Sequence, residues 1–563
     1  MPSKIYRSSY PPLEDINSDL VTYLFSNPKG TPDDKPIYID ANTGAARTYG
    51  EIKRRTRSLA HGLRELGVKP RDVVAFMSPN SIDFPITCYA ILGCGATVSP
   101  VSAAYTPMEL EGQLETNGAK YLIVHSSLLE TANRAVKRNS TVRIIQADGD
   151  RDIGGNPTAE SLASSCPPDS PLVSIKPDEA DERLSFMCFS SGTTGRAKGV
   201  MTSHKNMVSN AQQSVAHLSE ELTGKLTTVT FLPFSHIYGL TMFVVANMLV
   251  GNTAVILSRF EPTLFLSCIQ KYRPESLNLV PPVMLLLAKH PLVEKYDLSS
   301  LKRVICAAAP LSAELREAVE ARFQRLYGTR LLGLQAWGMT ETSPIGSAVP
   351  ADRPDKRHTV GNITPSMEFR VVEPETMQDV ESEADGSSKQ GELWCRGRNV
   401  TKGYYRNEEA TKSGFARDED GRLWFRTGDI GLIDKDGFLI IVDRIKEMIK
   451  YNGLQVIPSE LEGKLLEHPD VEDACVVGQW VEEQATELPV GFIAVTSKAK
   501  AKDEKIVVDE INHWLNGRVA NHKKLRGGLY IVEAVPKSPT GKILRRQLKD
   551  VLKAKSAKAG SRL

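Results

Sequence analysis

From Tyr49 onward the chain switches repeatedly between two apolar periods, and this alternation limits the folds open to it. Tyr49 to Gly67 reads as a helix, with Ile52, Leu59, Leu63 and Leu66 on one face and Gly67 as its stop. Val73 to Met77 is a short apolar strand, and Ile82 to Leu92 is a second apolar, helical segment. Thr106-Pro-Met-Glu109 carries a capping box with proline at the first helical position, so a further helix begins there. Tyr121 to Val124 is the next strand. Strands separated by helices of this length build βαβ units and a mainly parallel sheet, so the fold class is α/β. With 563 residues the chain has room for about three to four domains or subdomains at ~150 residues each, and no internal repeat organises them.

Charge narrows the function. Seventy Lys and Arg against 68 Asp and Glu leave +2, which disfavours a nucleic-acid binder or a charged disordered chain. The eight cysteines are scattered without a Cys-x-x-Cys pair, so neither a zinc ribbon nor a thioredoxin-like site is expected. Met1 to Arg7 lacks the apolar core of a signal peptide. Ile237 to Leu257 runs without a charge, long enough for a membrane helix, yet Asn247 and Gly251-Asn252 interrupt it. It is expected to be a buried helix, a turn and a strand, with no transmembrane segment. Residues 150–180 and Pro374 to Gln390 read as connections, and Lys498 to Lys505 as a solvated charge run. Ser459-x-x-Glu462 reads as a helix cap, and the basic tail from Lys549 as a frayed end.

The strongest chemical signal is Ser190-Ser-Gly-Thr-Thr-Gly-Arg-Ala-Lys198-Gly199, which follows the apolar strand Leu184 to Phe189. Gly192, Gly195 and Gly199 free backbone N–H groups to face an anion. Ser190, Ser191, Thr193 and Thr194 add hydroxyls, and Lys198 adds a cation. This is a phosphate cradle by composition. It is not a Walker A loop, because Ala197 precedes the lysine.

This segment resembles the nucleotide signature of the adenylate-forming superfamily: acyl-CoA synthetases, 4-coumarate–CoA ligases, beetle luciferases and peptide-synthetase adenylation domains. Further matching motifs follow in order. They are Leu232-Pro-Phe-Ser-His236-Ile-Tyr238, Ala307-Ala-Ala-Pro310, Gln335-Ala-Trp-Gly-Met-Thr340-Glu341 and Gly391-Glu-Leu, then Trp424-Phe-Arg-Thr-Gly-Asp429, Asp443-Arg444-Ile-Lys446 through Gly453, and Pro539-Thr-Gly-Lys542. The likeness is strongest to the 4-coumarate–CoA ligase branch. It implies a large multi-subdomain N-terminal body with βαβ-type sheets, 1–443, which binds AMP. It also implies a small mobile α+β C-terminal lid, 444–563, hinged near Asp443 to Lys446.

The resemblance implies the cofactors ATP, Mg²⁺ and coenzyme A, and a role for each matched residue. Ser190, Ser191, Gly192, Thr193, Thr194 and Lys198 would cradle phosphate, and Asp429 would accept from the ribose hydroxyls. Gln335, Ala336, Arg444, Lys446 and Lys450 would contact the nucleotide, and Trp337 would stack on adenine, where relatives more often carry Tyr. Thr340 would hold the α-phosphate and Glu341 the Mg²⁺. Lys542 would bridge carboxylate and phosphate oxygens during adenylation, and His236 would gate the carboxylate site or help admit the thiol in the second step. Arg259, Asn452 and Gly453 would face CoA, although Asn452 stands where relatives carry a lysine. Tyr238, Met242, Ala308, Ala309, Gln335, Ala336 and Ala348 would line the acyl pocket, which suits an apolar acid. Ala336 replaces a glycine of that branch and narrows the wall. Both reactants of adenylation are anions, so such a site must concentrate cations and oriented donors.

The implied activity is ATP-dependent ligation of a hydrophobic acid, aryl or medium- to long-chain, to CoA through an acyl-adenylate. Three alternatives share the motifs: an adenylation enzyme loading a carrier protein, a luciferase-like oxygenase, and an inactive nucleotide-binding scaffold. Ser561-Arg562-Leu563 resembles the peroxisomal address Ser-Lys-Leu, implying an import receptor as partner and a peroxisomal, otherwise cytoplasmic, location.

Overall fold

The computed structural model describes residues 4–137, 141–149, 152, 154–164, 166–190, 197–216, 223–452, 454–484, 486–538 and 541–560, with backbone alone for Glu483 and 553–560. The expectations for Ser191, Gly192, Thr193, Thr194, Gly453 and Ser561 to Leu563 lie outside the described residues. Two compact units emerge. One comprises Met1–Ala308, Ala318–Arg370 and Cys395–Arg426; the other comprises Ala309–Glu317, Val371–Trp394 and Thr427–Leu563.

In the first unit the expected βαβ pattern forms a six-stranded sheet. Its order is Arg143–Gln146, Tyr121–Val124, Val73–Met77, Thr97–Val101, Leu184–Ser190 and Lys198–Ser203, parallel except at the last pair. Helix Tyr49–Glu65 starts at a reciprocal capping box between Thr48 and Glu51, and Pro107–Asn117 at one between Thr106 and Glu109. Helix Phe84–Gly93 is buried at every position, as an all-apolar sequence requires. A helix that the composition did not reveal, Ala159–Ser164, lies in the 150–180 connection. Gly62 admits it: a Cβ there would meet the Leu162 carbonyl oxygen at 2.2 Å.

The charge-free stretch becomes helix, turn and strand, as expected. Ile237–Gly239, Leu240–Ala246 and Asn247–Val250 form one helical run whose middle has the wider π pitch. Gly251 then turns at φ 68°, and Thr253–Ile256 enters a four-stranded sheet between Thr227–Thr230 and Pro36–Asp40. No helix among the described residues is long and apolar enough to cross a membrane. A third ladder runs Ser276–Leu279, Arg303–Cys306, Leu332–Gly338, Ile345–Ala348 and Gly361–Ile363; its first three strands are parallel.

In the second unit, strand Phe438–Arg444 pairs antiparallel with Asp429 to Ile433. Beyond it, Val471–Val481 and Thr486–Val495 form an antiparallel pair extended in parallel by Leu529–Ile531. Helices Pro458–Leu466 and Glu504–Asn516 close over an apolar core of Ile449, Leu461, Leu465, Val476, Ile493, Val507, Ile511 and Leu515.

Two sequence expectations are corrected here. Ser459 does not cap its helix, which begins at Pro458 with no side-chain cap at Ile457. Asp443 supplies the missing acceptor from 16 residues away, taking the Ser459 N–H at 3.3 Å and its hydroxyl at 3.0 Å. Glu462 is buried and accepts from Val476 N at 2.7 Å. The tail is also not frayed at Lys549, because Arg545–Gly560 is helical.

Candidate active site

The strands that flank the candidate phosphate loop, Leu184–Ser190 and Lys198–Ser203, pair antiparallel, with Ser190 and Lys198 as direct partners. A distant segment runs along the same edge. Met201 N donates to Gly403 O at 2.9 Å and Tyr405 N to Gly199 O at 2.8 Å. This pairing carries Tyr404 to Lys198, whose ammonium sits 4.8 Å from the ring centroid, within cation–π range. The Tyr404 hydroxyl donates to Glu341 Oε1 at 2.9 Å, and Thr401 N donates to the Glu341 carbonyl at 2.8 Å. Burial, and then the Glu341 charge, push the Tyr404 phenol well above its ordinary range, so it stays a donor. Glu341 is only 5% exposed, and a hydrogen bond to such a charged group is worth roughly 1.5–3 kcal/mol. Lys198, Tyr404 and Glu341 thus form one connected group.

Strand Leu332–Gly338 ends in a register shift at Trp337/Gly338, followed by the tight turn Thr340–Thr342 that presents Thr340 and Glu341. Gln335 is buried, with its amide directed at the carbonyls of Arg357 and Thr359 at 3.4 Å. Trp337 is buried edge-on to Phe369, with centroids 5.6 Å apart. Ala336 and Ala348 are cross-strand partners, which brings two of the expected acyl-pocket residues together. His236 accepts the Tyr238 N–H at 3.3 Å and opens the helical run carrying Tyr238 and Met242. The Tyr238 hydroxyl donates to Asn278 Oδ1 at 3.3 Å, and burial raises that phenol as well. Ala308, just past strand Arg303–Cys306, holds φ 74°, a left-handed backbone rarely adopted outside glycine. Arg259 is exposed on the bend after Thr253–Ile256 and is not joined to these groups.

The second unit holds the other candidates. Asp429 is 3% exposed, is the cross-strand partner of Arg444, and accepts its Nε at 3.1 Å. Glu392 steadies the Gly428 turn, accepting Gly428 N at 3.2 Å and the Trp394 indole at 2.9 Å. Lys446 is exposed on the turn after Arg444, and Lys450 is exposed in the hairpin Ile449–Tyr451/Leu454–Val456. Asn452 bends that hairpin at φ 48° and donates its N–H to Thr486 Oγ1 at 2.7 Å. Lys542 is half-buried in a turn closed by Ser538, whose N–H donates to the Lys542 carbonyl at 2.8 Å. Ala309 also falls in this unit.

The family description AMP-binding enzyme matches residues 24–405, and AMP-binding enzyme C-terminal domain matches 460–542. The chain belongs to the AMP-binding enzyme family. Among curated AMP-binding relatives, a probable 4-coumarate–CoA ligase 1 of Dictyostelium discoideum is 35% identical, covering 97% of each chain. A peroxisomal OPC-8:0-CoA ligase 1 of Arabidopsis thaliana is also 35% identical, over 91% of this chain and 89% of its own. Among solved structures, ATP-bound MatB of Rhodopseudomonas palustris superposes at TM-score 0.80 with 26% identity, over 95% of this chain and 99% of that one. A long-chain-fatty-acid–CoA ligase of Archaeoglobus fulgidus gives 0.71 and 27%, over 93% and 99%.

The donor set of this AMP-binding enzyme is compatible with Mg²⁺. No group of three or more His, Cys, Asp or Glu side chains suited to a metal occurs among the described residues. A cation at Glu341 would therefore draw its remaining oxygens from phosphates and water, the usual habit of Mg²⁺. Glu392 lies in the Gly391-Glu-Leu motif, although no role was attached to it, whereas Tyr404 and Asn278 escaped the sequence reading. Only Tyr404 left a trace, in the Gly403-Tyr-Tyr405 turn signal.

Proposed function

We infer that the chain is an AMP-forming acid–CoA ligase: it joins a carboxylate to the α-phosphate of ATP, releases pyrophosphate, and passes the acyl group to the CoA thiol. Full-length coverage carries this reading, because relatives named as CoA ligases match 97% and 91% of the chain. The acid is apolar. Ala336, Ala348, Ala308 and Met242 offer methyl and thioether surface, and the Tyr238 hydroxyl is occupied by Asn278. Hydrophobic walls discriminate by only ~1–3 kcal/mol per methylene, so a family of related acids is accepted.

Lys198 and the loop hydroxyls balance phosphate charge, Thr340 receives the α-phosphate, and Asp429 with Arg444 holds the ribose side of the nucleotide. Bound at Glu341, Mg²⁺ would supply charge neutralisation of the phosphates, and the Tyr404 hydrogen bond keeps that carboxylate aimed. Lys542 bridges the reacting oxygens in the first step. The chain divides near Asp443 to Lys446 into 1–443, which binds AMP, and a lid, 444–563, that changes position between the two steps. The family matches end at 405 and resume at 460, which supports a division somewhere in that interval. Arg259 and the Asn452–Gly453 turn serve CoA. Ser561-Arg562-Leu563 addresses the enzyme to peroxisomes through an import receptor, in keeping with the peroxisomal name of the Arabidopsis relative. Diffuse cytosolic signal from fusions with and without this tripeptide would remove that assignment.

The deciding experiment incubates the protein with ATP, Mg²⁺, CoA and a panel of cinnamates, benzoates and medium- to long-chain fatty acids. Carboxylate-dependent pyrophosphate and a CoA thioester of the expected mass are the predicted products. Pyrophosphate without any CoA thioester would overturn CoA as acceptor.

A further inference from the structure

Three residues past Lys542, a buried ion network has no part in the steps above. Arg545 opens helix Arg545–Gly560, and its side chain is 14% exposed. Its Nε donates to Glu447 Oε2 at 2.9 Å, and one terminal nitrogen donates to Glu462 Oε2 at 3.0 Å. The other terminal nitrogen donates to Val476 O at 3.1 Å, to Cys475 Sγ at 3.3 Å and to Glu462 Oε1. Every guanidinium nitrogen is engaged, and one cation faces two carboxylates that are 17% and 9% exposed.

Each partner lies on a different element. Glu447 sits in the turn that follows Arg444, where its N–H donates to Arg444 O at 2.9 Å. Glu462 lies on helix Pro458–Leu466, and Val476 on strand Val471–Val481. Arg545 therefore ties the base of the Lys542 loop to the turn at 444–448, a helix and a strand. The trio carries a net charge of −1, a negative field in which a nearby ammonium is held. Burial alone would raise the Glu447 carboxyl, but Arg545, then Arg444 and Lys542, together hold it below its ordinary range. Lys542 is thus close enough to act on this group.

We propose that Arg545, clamped by Glu447 and Glu462, is the positioning residue for Lys542: it fixes the loop from which Lys542 reaches the reacting oxygens. This rests on the assignment of Lys542 to adenylation. The guanidinium fork is essential, because an ammonium cannot serve five acceptors on three elements at once.

The test separates the half-reactions. Carboxylate-dependent pyrophosphate release reports adenylation, and CoA thioester formation from synthetic acyl-adenylate reports the second step. Lys542→Ala sets the benchmark, with adenylation abolished and thioester formation within about threefold of the parent. Arg545→Met is expected to lower adenylation kcat at least about 30-fold, with KM for ATP and the thioester step within about threefold. Arg545→Lys is expected to recover only part of that loss. Breaking a buried pair can unfold the domain, so a charge-balanced variant, Arg545→Met with Glu447→Gln and Glu462→Gln, is measured alongside. It is expected to melt like the parent yet remain deficient in adenylation.

A second readout needs no turnover. The rate of Lys542 acetylation by acetic anhydride, read by peptide mass against the other lysines, should rise at least about threefold in the triple variant, whose network is neutral and no longer holds the ammonium. Parent-like adenylation in the triple variant, equal loss of both half-reactions, or an unchanged Lys542 labelling rate would each overturn the proposal. Failure of the parent to release pyrophosphate with any acid would instead sink the ligase reading, leaving the labelling result to stand alone.

Discussion

At the scale of single residues, His204 shows how burial sets the pH range of the fold. Its side chain is 1% exposed and stands at the first position of helix His204–Val215, where the helix dipole also opposes a cation. Nδ1 accepts the Leu20 N–H at 3.1 Å, while Nε2 is buried with no hydrogen-bond partner among the described residues. Burial, with the nearby Arg183 charge, lowers its pKa to about 3. The depressed value means that the unfolded chain binds this proton first. Stability from the neutral imidazole is complete above the unfolded pKa of ~6.5 and falls as pH drops toward 3, by about 1.4 kcal/mol per unit. Between pH 6.5 and 5.0 this group alone removes roughly 2 kcal/mol. His204→Asn keeps an acceptor for Leu20 and cannot titrate. Urea unfolding at both pH values should show the variant losing about 2 kcal/mol less than the parent over that interval. Equal losses would assign the acid sensitivity elsewhere.

At the scale of elements, strands Leu332–Gly338 and Ile345–Ala348 carry the most demanding packing near the candidate site. Gly346 lies under the Trp337 indole, where a Cβ would stand 2.4 Å from the ring. Gly346→Ala therefore forces the indole out of place, at a cost of about 1–3 kcal/mol for overpacking. If Trp337 faces adenine, KM for ATP should rise several-fold while KM for CoA holds. Gly346→Ala with Trp337→Tyr should recover part of the loss, because the smaller ring leaves room for the methyl. An unchanged KM for ATP in Gly346→Ala would place Trp337 outside the nucleotide site. Elements such as these differ in how much the sequence reveals. The capping boxes at Thr48 and Thr106 were legible because donor and acceptor lie three residues apart. Ser459-x-x-Glu462 has the same spacing and misled, since Asp443 and Val476 supply the partners from afar. Tyr404 is 63 residues from Glu341, so no local period could announce their bond. The helix at 237–250 was legible because Asn247 and Gly251 break an otherwise membrane-like run.

At the scale of the molecule, the apolar residues form separate cores. Met77, Leu110, Leu114, Leu122 and Val124 belong to one around the parallel sheet, and Leu461, Val476, Ile493 and Leu515 to another in the C-terminal part. A part that supplies its own core can melt by itself, and the proposed lid, 444–563, needs that independence. Calorimetry should accordingly resolve two transitions. At ~0.7 kcal/mol per residue, the roughly 120 residues of the proposed lid should absorb about 80 kcal/mol, the smaller of the two. Leu461 is fully buried, and Leu461→Ala should cost that part about 2–5 kcal/mol. The smaller transition should then fall by about 10 °C or more, while the larger stays within about 2 °C. One transition that moves as a whole would mean that the parts unfold together. The swing would then have to break contacts as costly as a core, and a fixed lid serving both steps would become the better mechanism.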